Sequence, residues 1–211
     1  MKKGLDVKKN IEDVIARSMN GFVDVNDRYH HNSSYTAAPS IIKNGILSIS
    51  DLHKRGVVKV SAKVLKLSED IESHINGSEQ ISLSVVGLDD LYKNEEEYDP
   101  FKTGSVDFIV SNDVKAARFS THYGNEFLAY SPINNDKIKS VDVRLFEYLD
   151  ELERLNGSSV NDMISLYESL REIAISLRDS KLNIPLREMS NGNNKSLDIE
   201  KISEMPKLIL K

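Results

Sequence analysis

Glu126 opens an apolar run, Phe127-Leu128-Ala129-Tyr130, and a second run, Ile138-Lys139-Ser140-Val141-Asp142-Val143, follows after a turn. A carboxylate at the head of a strand anchored in a core stands at the edge of a cleft. There it can stabilise positive charge that develops as a bond breaks. The bond between a ribose carbon and a nitrogen base breaks in this way, through an oxocarbenium-like transition state. A nearby carboxylate favours that state over the ground state and so accelerates the step; glycoside hydrolysis uses carboxylates to the same end. Far upstream, Tyr29-His30-His31-Asn32-Ser33-Ser34 offers neutral hydrogen-bonding groups suited to ribose hydroxyls and an amide. On a strand, Tyr29, His31 and Ser33 share one face and Arg28, His30 and Asn32 the other. His31 and Ser33 are therefore a matched pair. His30 competes with His31, because alternation does not say which face lines a cleft.

The elements that would hold these residues are legible in part. Residues 5–19 place Leu5, Ile11, Val14, Ile15 and Met19 near one helical face, and Asn20-Gly21 ends that helix. Phe22 to His31 reads as a first strand. Ser34 or Thr36 is a candidate cap for a helix with Pro39 in its first turn, and Gly45 stands just past its end. Residues 51–56 read as a turn or short helix, and 57–75 fit strand and helix equally. Ile81–Val86 and Asp107–Ser111 are β-type runs, and 95–100 is an acidic loop. From Phe146 onward, leucine stripes at helical spacing run through Leu177. Ser190–Ser196 reads as a flexible loop, and 197–211 as a short amphipathic tail. The expectation is an α+β protein: an N-terminal helix over 1–20, a mixed, mainly antiparallel β core over 21–148, and a helical C-terminal extension over 149–211.

Four blocks carry a resemblance to a known family: His31-Asn32-Ser33, Ile41-Ile42-Lys43-Asn44-Gly45, Glu126-Phe127-Leu128-Ala129 and Ile138–Val143. In order and spacing they resemble the ADP-ribosyltransferase fold, most closely its DarT-type toxin branch. The resemblance implies that Glu126 is catalytic, that His31, or His30 beside it, contacts NAD, and that Ser33 assists. That branch carries an NAD-holding arginine after the first helix, for which Arg55 is the nearest candidate, although its surroundings depart from the family pattern. For the middle motif the candidate is Ser84. The implied activity is transfer of ADP-ribose from NAD, a consumed substrate, to a macromolecular acceptor, either nucleic acid or protein, with release of nicotinamide. A toxin or defence role and an antitoxin partner belong to the same implication.

Composition narrows the alternatives. The 211 residues include no Cys and no Trp, so disulfides and thiolate zinc sites are excluded. Five histidines are present, but no pair has the helical spacing of a zinc protease, and no metal is expected. A net charge of -5 supplies no global attraction for nucleic acid. No apolar run approaches the ~18 residues that span a bilayer, and the N-terminus lacks the apolar stretch of a secretory signal. The expectation is a cytoplasmic protein without a membrane partner. Taken singly, Glu126 is more often an edge-strand charge that discourages aggregation, and His31 more often a structural histidine. From another class, the chain reads as a non-catalytic binding module on a degenerate transferase fold.

Overall fold

The computed structural model describes residues 2–22, 29–57, 80–84, 106–119, 126–154, 160–190 and 193–207. In chain order the elements are α1 (Lys2–Ser18), β1 (Met19–Phe22), β2 (Tyr29–Ser33), α2 (Ala38–Asn44), α3 (Ile49–Lys54), β3 (Gln80–Ser84), β4 (Val106–Val110), β5 (Ala116–Phe119), β6 (Glu126–Tyr130), β7 (Ile138–Val143), α4 (Leu145–Arg154), α5 (Val160–Ser180), β8 (Leu186–Ser190), β9 (Asn193–Leu197) and α6 (Ile199–Ser203). The ambiguous 57–75 segment, beyond Val57, and the acidic 95–100 loop lie outside the described residues.

The described strands form one sheet of nine, in the order β1-β9-β8-β7-β4-β2-β3-β6-β5. Every neighbouring pair is antiparallel except β7 and β8, which are parallel. A parallel pair cannot be joined by a tight turn and needs a crossover; α4 and α5 are that crossover. The mixed, mainly antiparallel core expected from the sequence is therefore present.

Alternation divides the sheet into two faces. One carries Val106, Phe108 and Val110 of β4, Ile81 and Leu83 of β3, and Val141 and Val143 of β7. These join Ala38 and Ile42 of α2 and Leu170, Ile173 and Leu177 of α5 in a single buried core. Helix α5 is the centre of the helical layer, packed by α1, α2 and α6. Its apolar residues recur at helical spacing, and that stripe is what the sheet face requires.

Several expectations are corrected. The C-terminal part is not wholly helical: it holds α4, α5 and α6 but also two strands. It supplies β8, β9 and, through them, the seat for β1, so no boundary falls at 148. Ser190 and residues 193–196 are strand, not loop: Ser190 pairs Asn193 and Met189 pairs Asn194 across β8 and β9. The run from Phe22 to His31 is not one strand. β1 and β2 lie five places apart in the sheet. Neither Ser34 nor Thr36 is the N-cap of α2. Ala37 holds that position with no side-chain cap, and the Ser34 hydroxyl instead accepts from the Ala37 amide at 3.3 Å.

Gly45 ends α2 as expected and does more. Its φ of 79° and ψ of 178° lie in a region open essentially to glycine alone. A Cβ there would fall against the Ile133 carbonyl oxygen. This close approach lets Ile46 and Ile133 exchange backbone hydrogen bonds of 2.8 and 3.0 Å, which tie the end of α2 to the turn after β6.

Candidate active site

Three of the residues singled out from the sequence meet in one register row. His30 of β2 is directly opposite Ser84 of β3, and Ser84 is directly opposite Glu126 of β6. Directly opposed Cα atoms in antiparallel strands are ~4.5–5.5 Å apart. The His30 and Glu126 backbones are thus ~10 Å apart, with the small Ser84 between them. The row continues outward to Phe119 on β5 and inward to Ile109 on β4. Toward the Tyr130 end of β6, away from Glu126, an open cavity of about 460 Å³ is lined by Tyr29, Leu128, Tyr130 and the Asn112–Ala116 turn, and none of the row's residues lines it. That volume lies within the range of small-molecule sites.

His31 and Ser33 share a face as alternation requires, but it is the other one. They pair Phe108 and Val106, on the side packed by the helices. His31 is bonded through Nδ1 to the Ser82 carbonyl at 3.1 Å. Its ring nitrogen donates there, so the neutral imidazole acts as a cross-strand tie between β2 and β3. Burial pushes the His31 pKa down, more than the Ser82 carbonyl and the charge of Asp107 raise it. Between the two histidines, the structure puts His30 in line with Ser84 and Glu126.

Arg55 is not brought to this row. It follows α3, whose N-terminal Ser48 amide donates to Ser131 Oγ at 3.0 Å, while Ser131 donates to Asp51. Ser131 follows Tyr130, so α3 is fastened at the end of β6 opposite to Glu126.

A polar network missed in the sequence lies beside His30. His30 Nδ1 is 2.7 Å from Asp107 Oδ2. Asp107 is only 4% exposed, and it occupies the row Asn32–Asp107–Asp142–Arg187 across β2, β4, β7 and β8. Arg187 grips Asp142 with two hydrogen bonds, of 2.8 and 2.5 Å, and Ser140 donates to the same carboxylate at 2.9 Å. Burial raises the Asp142 pKa, and Arg187 pulls against it. For His30, burial alone pushes the pKa down. The hydrogen bond and charge of Asp107, aided by Asp142 and opposed by Arg187, outweigh burial, and the net direction is up. The available signal was a lone charge inside each of two apolar strands, Val106-Asp107-Phe108 and Val141-Asp142-Val143; Arg187, followed by Glu188, carried no such mark. Such charges are buried only when paired.

Neither a protein-family model, nor a curated protein, nor a solved structure matches this chain. Among the described residues there is no cluster of three or more His, Cys, Asp or Glu suited to a metal ion. No helix of the described residues is long and apolar enough to cross a membrane.

Proposed function

We propose that this chain binds NAD and transfers its ADP-ribosyl group to a macromolecular acceptor, nucleic acid or protein, releasing nicotinamide. The row His30–Ser84–Glu126 on three adjacent strands supports this best, because three residues chosen for one chemistry converge although they come from distant parts of the chain. The bond from the ribose C1′ to the nicotinamide nitrogen breaks, and nicotinamide leaves with the bonding pair. Glu126 stabilises the cationic ribose. A nucleophilic oxygen or nitrogen of the acceptor bonds to C1′ and gives up its proton. Ser84, small and central, leaves room for the ribose between the two larger residues. His30 supplies hydrogen bonding to the dinucleotide. The toxin or defence role and an antitoxin partner rest on the family resemblance.

The test is nicotinamide release from NAD by the purified protein, wild type against Glu126→Gln, with and without cell lysate. Release that falls at least ~100-fold in Glu126→Gln, and that rises with lysate, supports transfer; labelled NAD then isolates the acceptor. A folded wild type that neither releases nicotinamide nor binds NAD would replace this proposal with a non-catalytic binding module.

A further inference from the structure

Asp107 bonds His30 Nδ1 and is itself nearly fully buried. Two carboxylates, Asp107 and Asp142, lie at directly opposed positions of β4 and β7. Arg187, the guanidinium in this row, is engaged by Asp142. With His30 neutral the group of four carries a net negative charge in a buried setting. With His30 protonated it is neutral. Burying an uncompensated charge is costly, so the cluster favours the imidazolium. The Oδ1 atom of Asp107 is itself buried and unpartnered, as is Oδ1 of Asn32 directly across from it. This leaves the Asp107 charge to be met chiefly through the single bond to His30. The His30 side chain keeps 18% of its surface exposed, and among the described residues nothing bonds its Nε2.

We propose that Asp107 is a positioning residue for His30. It holds Nδ1–H, fixes the ring, and keeps the imidazole protonated, so that Nε2–H is a charged donor offered to an oxygen of the dinucleotide. A charged donor suits a phosphate or a ribose oxygen better than a neutral ring would. This differs from the neutral histidine expected from the sequence. Its consequence is that NAD affinity is tied to one proton. The groups that face His30 and set this proton are Asp107 on β4, Asp142 on β7 and Arg187 on β8.

The pairing itself stands without the transfer proposal; the effect on NAD rests on it. Two measurements keep them apart. The first is titration of the histidine ring nitrogens by NMR in the full chain. Wild-type His30 is expected to titrate above the ordinary ~6.5 with Nδ1 carrying the bonded proton, and Asp107→Asn to lower that midpoint by a unit or more, roughly as loss of an adjacent opposite charge does. His31, for which the Asp107 charge is the smallest influence, should move down less than His30, and its retained Nδ1 bond to the Ser82 carbonyl reports an intact fold. The second is the pH profile of nicotinamide release. KM for NAD should rise about tenfold per pH unit above the His30 midpoint, with kcat changing less, and the rise should begin at lower pH in Asp107→Asn. Asp107→Glu should restore part of the wild-type profile. A wild-type His30 that titrates below the ordinary value overturns the pairing even if Asp107→Asn fails to fold. Active enzyme whose KM profile is the same in Asp107→Asn overturns the positioning role. Wild type with no release at any pH overturns the transfer proposal and the positioning role with it, while the titration still decides the pairing.

Discussion

Asp142 and Arg187 sit opposite each other on the parallel pair β7 and β8, 1% and 2% exposed. Removing one partner leaves the other charged and buried, which costs about 3–5 kcal/mol. Replacing both by apolar residues of similar volume removes the desolvation problem altogether. Arg187→Met is therefore expected to destabilise by ~3–5 kcal/mol, and the double variant Asp142→Leu/Arg187→Met to recover most of that loss. Urea unfolding of the four members of the cycle checks this, and a double variant as unstable as Arg187→Met would refute it. At this scale Glu126 drew attention because a carboxylate heading an apolar strand suggests chemistry, and Ser84 only through the family resemblance; the structure shows that they face each other on β3 and β6. Asp107 and Arg187 were not, because nothing local distinguishes a charge paired on a neighbouring strand, tens of residues away in the chain, from one that faces water. The choice between His30 and His31 was beyond the sequence for the same reason. It depends on which face of β2 the helices cover.

The ends of the elements decide how rigidly the site's strands are held. Gly45 cannot be replaced without both a forbidden backbone geometry and a collision with the Ile133 carbonyl. Gly45→Ala should lower stability by ~2 kcal/mol or more, read as a fall in the thermal midpoint. A second device is Glu188 of β8. Fully buried, it accepts hydrogen bonds from the amides of Leu145 and Phe146 at 3.1–3.4 Å, at the start of α4. A carboxylate there meets two of the unpaired amides of a helix N-terminus and its positive dipole end. Glu188→Ala leaves those amides buried without it and should cost ~2–3 kcal/mol, with Glu188→Gln milder; equal stability of Glu188→Ala and wild type would remove Glu188 from this role. Helices α1, α2 and α5 were readable because a sustained apolar stripe has one interpretation. The β8–β9 hairpin was overlooked although Asn191-Gly192 separates its strands, a strong two-residue hairpin signal. The polar, asparagine-rich flank made the segment resemble a loop.

For the molecule as a whole, the sheet is the unit of stability. A chain ending at Tyr148 would lack α5, the partner of β7 and the partner of β1. It is expected to be unfolded by circular dichroism, whereas an independent core over 21–148 would give a folded fragment. The two histidines predict a stability maximum. His30, raised in the fold, contributes stability that is full below the ordinary ~6.5 and is lost as pH rises through its folded value. His31, lowered in the fold, contributes stability that is full above ~6.5 and is lost as pH falls through its folded value. Thermal midpoints should therefore peak near neutrality. His30→Gln should flatten the alkaline limb and His31→Gln the acid limb. The α+β class and the antiparallel core were accessible from the pattern of short apolar runs. The placement of the last strands was not, because pairing between distant segments leaves no local mark.

One of those pairings has a bearing on how the protein comes into being. β1 is made early, yet its neighbour β9 carries Leu197 opposite Met19. During synthesis at about 5–20 residues per second, the first strand must wait on the order of ten seconds or more for its partner, exposed meanwhile as an unpaired edge. Contacts this distant along the chain also slow folding. The strands that carry His30, Ser84 and Glu126 are all made before the segment that closes the sheet. A chain still on the ribosome would thus possess His30, Ser84 and Glu126 but not the framework that holds them, and the proposed activity would await translation past β9.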